Sequence, residues 1–355
     1  MTQFYAVFAY IVFFFFAIWY DNYRNRTRRY ILMATCITLT FMVGMREPSV
    51  WSDTGAYVIT FTKTHGLGEL TKEDMPLGYG EMGFFYLTAL IKSFTSNIHV
   101  FLTVISAITF YFLYKCFDRY SIYPLFAVAV YLSRFYTGRN MTQIRAALSI
   151  AIVIYFTFLL PDKKKRWWYL LVIFVAYHIH NSAIVALPLF LFKNYKIKSE
   201  FIVFGVIVSL ILASAYGSVV KAWVQSSPFI MDMGGDYLRE GSSKAFSNDL
   251  SNPVIWYQII VLFAFTFYEK KLKNMTPYYY LMRNGYFYCT CILIVMCQYA
   301  VVAARCSTIF ATFEIAMIPL LVNALGKKNR AFVYLVLAVP YIILFALNWS
   351  PHYNN

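Results

Sequence analysis

The sequence predicts an all-α polytopic membrane protein of about 12 transmembrane helices, with an outer-face half-helix and a short re-entrant-like helical hairpin. Three observations carry that expectation. The 355 residues are 60% hydrophobic and only 13% charged, with a mean hydropathy of +0.58, whereas a soluble globular domain carries roughly a quarter charged residues. Apolar runs recur along the whole chain, many of them near the roughly 20 residues that cross about 30 Å of hydrocarbon. Basic residues sit in short blocks between those runs, as the positive-inside rule requires. The net charge of +15 is therefore a topology signal, and no nucleic-acid partner is expected.

The basic blocks are Arg24 to Arg29, Lys115 to Arg119, Lys163 to Arg166, Lys193 to Lys198, Lys270 to Lys273 and Lys327 to Arg330. Placing all of them in the cytoplasm puts both termini outside. Spans then follow at about 4–20, 30–45, 97–114, 121–134, 141–160, 167–178, 180–192, 201–217, 254–268, 284–303, 306–325 and 331–348. The first run ends in Asp21 and an arginine cluster rather than a small-residue cleavage site, so it reads as a span and not as a signal peptide. The chain reads as a single membrane domain, 1–355, without an internal repeat. Its long polar connections, 46–80 and 218–253, fall outside.

Two places break the regular alternation. Only one net crossing fits between Arg46 and Lys115, yet two apolar segments lie there. The shorter one, 81–94, spans about 21 Å as a helix and reads as a half-helix dipping in from the outer face. The stretch 167–192 must go out and back in helices of about 12 residues, roughly 18 Å each. Its turn, Tyr177-His178-Ile179-His180-Asn181-Ser182, then lies below the outer surface, where irregular backbone needs protein or a water-filled cavity around it. An outward-opening cavity is expected there. The loop around Asp53 to Ile59 is expected to hold a short helix lying on the bundle, and Gly234-Gly235-Asp236-Tyr237 a turn.

Charges near the outer side fall into a few groups: Arg46 with Asp53 and Tyr57; Glu81; Arg134, Arg139, Asn140, Gln143 and Arg145 at a junction of spans; His178 and His180; and Arg305 between two late spans. Each has a bland reading. Arg46 and Arg134 can snorkel from helix ends, which is the preferred reading for Arg134. Asp53 suits a turn or N-cap, and Glu81 suits a helix N-terminus. His178 and His180, at i and i+2, cannot share a helical face, so one of them reads as a packing residue. Arg145 starts a helix at lipid depth, where a charge is costly and is by default a functional hypothesis. The cysteines lack the paired spacing of a zinc site and read as small packing residues. An arginine-rich outward cavity suits phosphate or pyrophosphate, because the guanidinium fork pairs with phosphate oxygens.

The ordered series Arg46, Ser52-Asp53-Thr54, Tyr57, Glu81-x-Gly83-Phe84, Arg139, Ile144-Arg145 and His180-x-Ser182-Ala183 before Leu187-Pro188 resembles the EpsG-like family of Wzy-type polysaccharide polymerases. The likeness covers roughly residues 40–190, with Arg305 in weaker support. Ala146 stands where a glutamine is expected, and His178 adds a second histidine. The resemblance implies polymerisation of lipid-linked oligosaccharide repeat units (O-antigen, capsule or exopolysaccharide) by glycosyl transfer from polyprenyl pyrophosphate. The reaction would run at the outer face of a bacterial inner membrane. It implies no cofactor and no metal. Implied partners are the polyprenyl-pyrophosphate-linked oligosaccharide, membrane lipid, a flippase and a chain-length regulator. On this reading Arg145, Arg139 and Arg305 hold pyrophosphate with help from Arg46. Tyr57, Gln143 and His178 line the substrate site, and Asp53, Glu81 or His180 is the base. Rival readings are a lipid-linked glycan transporter, which usually needs two comparable helix bundles, and a membrane O-acyltransferase, which would leave the arginines unused.

Overall fold

The computed structural model describes residues 3–22, 27–51, 53–70, 81–192, 195–228, 231, 238, 249–325 and 330–349. The turn expected at Gly234 to Tyr237 lies outside the described residues, as do Ser52, Gly80 and parts of three basic blocks. The described chain is all-helical. The α-helices are α1 Gln3–Asn22, α2 Arg28–Gly44, α3 Thr54–Lys63, α4 Met82–Lys92, α5 Ile98–Tyr120, α6 Pro124–Tyr131, α7 Ile144–Phe156, α8 Trp168–Ile179 and α9 Leu189–Phe192. They continue as α10 Ser199–Ala215, α11 Gly217–Ser226, α12 Pro253–Phe267, α13 Glu269–Leu272, α14 Tyr279–Val295, α15 Ala300–Ala311, α16 Glu314–Ala324 and α17 Arg330–Asn348. A π-helical segment, Leu132–Thr142, runs on from α6.

Helices α1, α5 and α17 are long and apolar enough to cross a membrane. The pairs α10 with α11 and α15 with α16 pass the same test only as bent pairs, which raises the count from 3 to as many as 5. Most of the other expected spans are present as shorter apolar helices. The outward faces fit a hydrocarbon solvent: Phe4, Phe8, Phe15 and Trp19 on α1, and Phe332, Leu335, Val339 and Leu347 on α17, are exposed. Apolar surface this continuous is rare on a soluble monomer.

Several expectations need correction at this level. The span expected over 284–303 is broken: α14 stops at Val295, a turn follows, and α15 starts at Ala300. Arg305, expected between spans, therefore lies inside α15. The second arm of the hairpin is not a helix of about 12 residues; a 3-10 segment, Asn181–Ala186, leads into the four-residue α9. Pro188 lies between them, and a proline lacks the amide hydrogen that an α-helix interior needs. The junction of spans expected around 134–145 shrinks to a single break at Gln143, because 124–142 is continuously helical.

Contacts group the chain into two compact units. The first comprises 1–157, 171–181 and 314–355. In it α2 packs along α5, α5 along α7, and α6 against α1 and α16, while α17 lies against the π segment. Gly44 permits the α2–α5 approach, since a Cβ there would overlap the Thr103 side chain. Asn97 caps α5 by accepting from the His99 and Val100 amides. Asp21, at the end of α1, accepts from the Phe126 amide at 2.8 Å and so satisfies the start of α6. The second unit comprises 158–170 and 182–313. There α14 packs against α10, α12 and α15. The buried Arg283 of α14 donates to Glu269 at 2.7 Å and to the Ile197 carbonyl.

Candidate functional site

Helix α4 is apolar apart from its ends, and Glu81 stands at its N-cap position. The Glu81 backbone carbonyl accepts from the Phe84 and Phe85 amides, but its side chain does not cap the helix. The carboxylate is engaged elsewhere. One oxygen accepts from Nη1 of Arg145. The other accepts from Nδ1 of His180 at 2.6 Å and from the Asn181 amide at 3.2 Å. Residues 64, 99 and 100 positions away in sequence thus converge on one carboxylate.

Local packing explains the convergence. Gly83, two residues after Glu81, faces the last turn of α8: a Cβ there would come within 3.0 Å of the His178 Cβ and carbonyl oxygen. Glycine lets α4 and α8 touch, and His180 follows directly after α8 with its amide still bonded to the Ala176 carbonyl at 2.9 Å. Ser149 of α7 donates to the same carbonyl at 3.0 Å, tying α7 to α8. Arg145 lies in the first turn of α7, which places its guanidinium beside Glu81. Burial pushes the Glu81 carboxyl up, but the His180 hydrogen bond and charge, Arg145 and the Asn181 amide outweigh it and hold the group below the usual carboxylate range.

A cavity of about 100 Å³ borders this cluster, lined by Tyr57, Glu81, Arg145, Thr60, Thr88, Ala56, Phe84 and Phe85. The Arg145 guanidinium lies 5.4 Å from the Tyr57 ring centroid and 6.0 Å from that of Phe84. The short helix expected near Asp53 is α3, held down by Phe61 stacking on Phe101 of α5 at 4.5 Å and by Tyr57 meeting Phe84 at 6.3 Å. Two buried polar atoms nearby, His178 Nδ1 and Asn181 Oδ1, have no hydrogen bond among the described residues.

The other candidates divide into distinct settings. Arg46 does not snorkel. It is buried, donates to the Val43 carbonyl at 2.7 Å and to Thr54 Oγ1, and Thr54 donates in turn to the Met141 carbonyl. It ties the end of α2 to α3 and the π segment, within electrostatic reach of Tyr57 and Tyr136. Asp53 occupies the N-cap position of α3 without a side-chain cap bond, and it does not line the cavity. Gln143 marks the break before α7. His178 packs edge-on against Phe174 at 4.6 Å.

Arg139 is buried in the π segment over the Phe135 ring at 4.1 Å. Arg134 is not at a membrane interface. It forms a buried two-pronged pair with Glu314, at 3.0 and 3.3 Å. Glu314 was absent from the sequence candidates. The rule that singled out Arg145 also applies to it, because Glu314 is the one acidic residue in the apolar run 306–325. Arg305 belongs to the second unit.

The family model described as the EpsG family matches residues 29–355. No curated protein and no solved structure matches the chain.

Proposed function

The chain belongs to the EpsG family, a family associated with polysaccharide biosynthesis, and from that premise we propose that it is a glycan polymerase acting on polyprenyl-pyrophosphate-linked repeat units. The observation that carries the reading is the Glu81 carboxylate shared between His180 and Arg145 at the edge of a cavity. A carboxylate held below its usual range is a weak base but a good holder of an imidazole. With Glu81 accepting the Nδ1 proton, neutral His180 keeps its basic lone pair on Nε2, and Glu81 stabilises the imidazolium once it forms.

The acceptor hydroxyl attacks the anomeric carbon of the donor glycan and passes its proton to His180 Nε2. The bond from that carbon to the phosphate oxygen breaks, and polyprenyl pyrophosphate leaves. Arg145 supplies positive charge where the leaving group gains negative charge. Arg46 and Arg139 add to the field, and Tyr57 orients the Arg145 guanidinium. His178 and Asn181 offer hydrogen bonds to sugar hydroxyls. On this reading the chain crosses the cytoplasmic membrane about 12 times, several crossings being made by short or broken helices, and the cavity opens to the outer face.

The test uses full-length protein in vesicles with lipid-linked repeat units and no nucleotide sugar. A glycan ladder is expected, with free polyprenyl pyrophosphate released in step. His180→Ala should lower elongation by about a thousandfold while the protein still accumulates, and Asp53→Asn should retain it. Movement of the lipid-linked unit between leaflets without elongation would establish a transporter instead.

A further inference from the structure

The second unit holds a cavity of about 980 Å³ that the polymerase reading does not use. Two of the basic blocks, far apart in sequence, meet on it: Lys196 and Lys198 from the segment before α10, and Lys270 and Lys273 from α13 and its end. All four lysines are exposed. Lysines at membrane-proximal helix ends are ordinarily dispersed topology signals, each solvated by itself. Here they share one concave surface.

The acidic residues do not cancel them. Glu200 and Glu269 also line the cavity, but Glu269 is already committed. Arg283, with its side chain fully buried, donates to it at 2.7 Å, and the Tyr280 hydroxyl donates at 3.0 Å. Lys196 is 3.8 Å from the same carboxylate. The floor is thus a neutralised ion pair, and the rim is left with a surplus of positive charge. The start of α10 opens on the same space at Ser199, where first-turn amides face outward from the helix.

The remaining wall is apolar and turned outward. Phe267 is 83% exposed and Val203 is 41% exposed, and Phe263 lies beside them. A site for a free anion has no use for such a wall, whereas a molecule with an anionic head and a hydrocarbon tail uses both halves.

We propose that this cavity binds the phosphate headgroup of an anionic phospholipid, with the lysines on the headgroup and Phe267 and Val203 against its acyl chains. The proposal is independent of the polymerase reading.

Full-length protein in mild detergent, titrated with phosphatidylglycerol or phosphatidylcholine, provides the test, with bound lipid counted by native mass spectrometry. Wild type should retain phosphatidylglycerol well above phosphatidylcholine. The variant Lys196→Gln/Lys198→Gln/Lys270→Gln/Lys273→Gln should retain about tenfold less. Lys163→Gln/Lys164→Gln/Lys165→Gln, in a basic block that does not line the cavity, should match wild type. Phe267→Asp alters only the exposed wall and keeps the test alive should the fourfold variant fail to fold. It should also lower phosphatidylglycerol retention. Equal retention by the fourfold and threefold variants overturns the proposal. So does an unchanged Phe267→Asp variant, or displacement of the lipid by millimolar inorganic phosphate, which would mark a free-anion site.

Discussion

The first unit contains two arginine–carboxylate pairs, and they differ in how completely each is closed. Arg134 and Glu314 are joined by two hydrogen bonds, with side chains 7% and 0% exposed. Arg145 reaches Glu81 through one nitrogen, is 23% exposed, borders a cavity, and shares the carboxylate with a histidine. A sealed two-pronged pair uses the directional capacity of both partners on each other. A one-pronged pair at a cavity keeps donors facing outward and can respond to a ligand. The contrast assigns structure to the first pair and chemistry to the second.

Breaking the sealed pair should produce the largest effect on folding. Arg134→Met leaves Glu314 buried without its cation, a loss of about 3–5 kcal/mol. The expected outcome is reduced accumulation in the membrane and a lowered Tm in detergent. Arg145→Lys should leave accumulation near normal and reduce elongation by about a hundredfold, because an ammonium cannot reproduce the planar fork or its stacking on Tyr57. Parallel measurement of membrane level and glycan ladder separates the two outcomes. If Arg145→Lys unfolds the protein while Arg134→Met leaves it intact, the assignment is inverted. A smaller effect is expected from Gly83→Ala. Its methyl would crowd His178 and push α4 off α8 by a few tenths of an ångström, stretching the His180–Glu81 bond. Elongation should fall by about tenfold with little change in Tm.

The sequence carried the all-helical membrane character, the short helix at α3, and the start of α7 beside Arg145, because hydropathy and charge placement determine those directly. Glu81 and His180 could be named as candidates but not as neighbours. Their contact depends on Gly83 letting α4 meet α8, a tertiary approach that no local pattern encodes. Arg46 and Arg134 were misplaced for a related reason. A charge at a helix end looks alike whether it turns to solvent or is met by Thr54 or Glu314 from a distant segment. The breaks near Gln143 and Tyr299 escaped notice because the apolar runs continue through them.

The π segment alters the geometry of recognition in a way that a helical wheel would misjudge. On an α-helix, Arg134 and Arg139 would point about 140° apart. The wider winding bonds residues five apart, as in the Gln143 amide to the Gly138 carbonyl at 3.3 Å and the Thr142 hydroxyl to the Thr137 carbonyl at 3.1 Å. Side chains at that interval are brought towards a common side, and Arg139 lies within electrostatic reach of both Arg134 and Glu314. Register is therefore held by winding rather than by residue identity. Removing a single residue between 132 and 142 would swing Arg139 by about 100° relative to Arg134 without changing any side chain's chemistry. In this segment a length polymorphism would do what elsewhere takes a charge reversal.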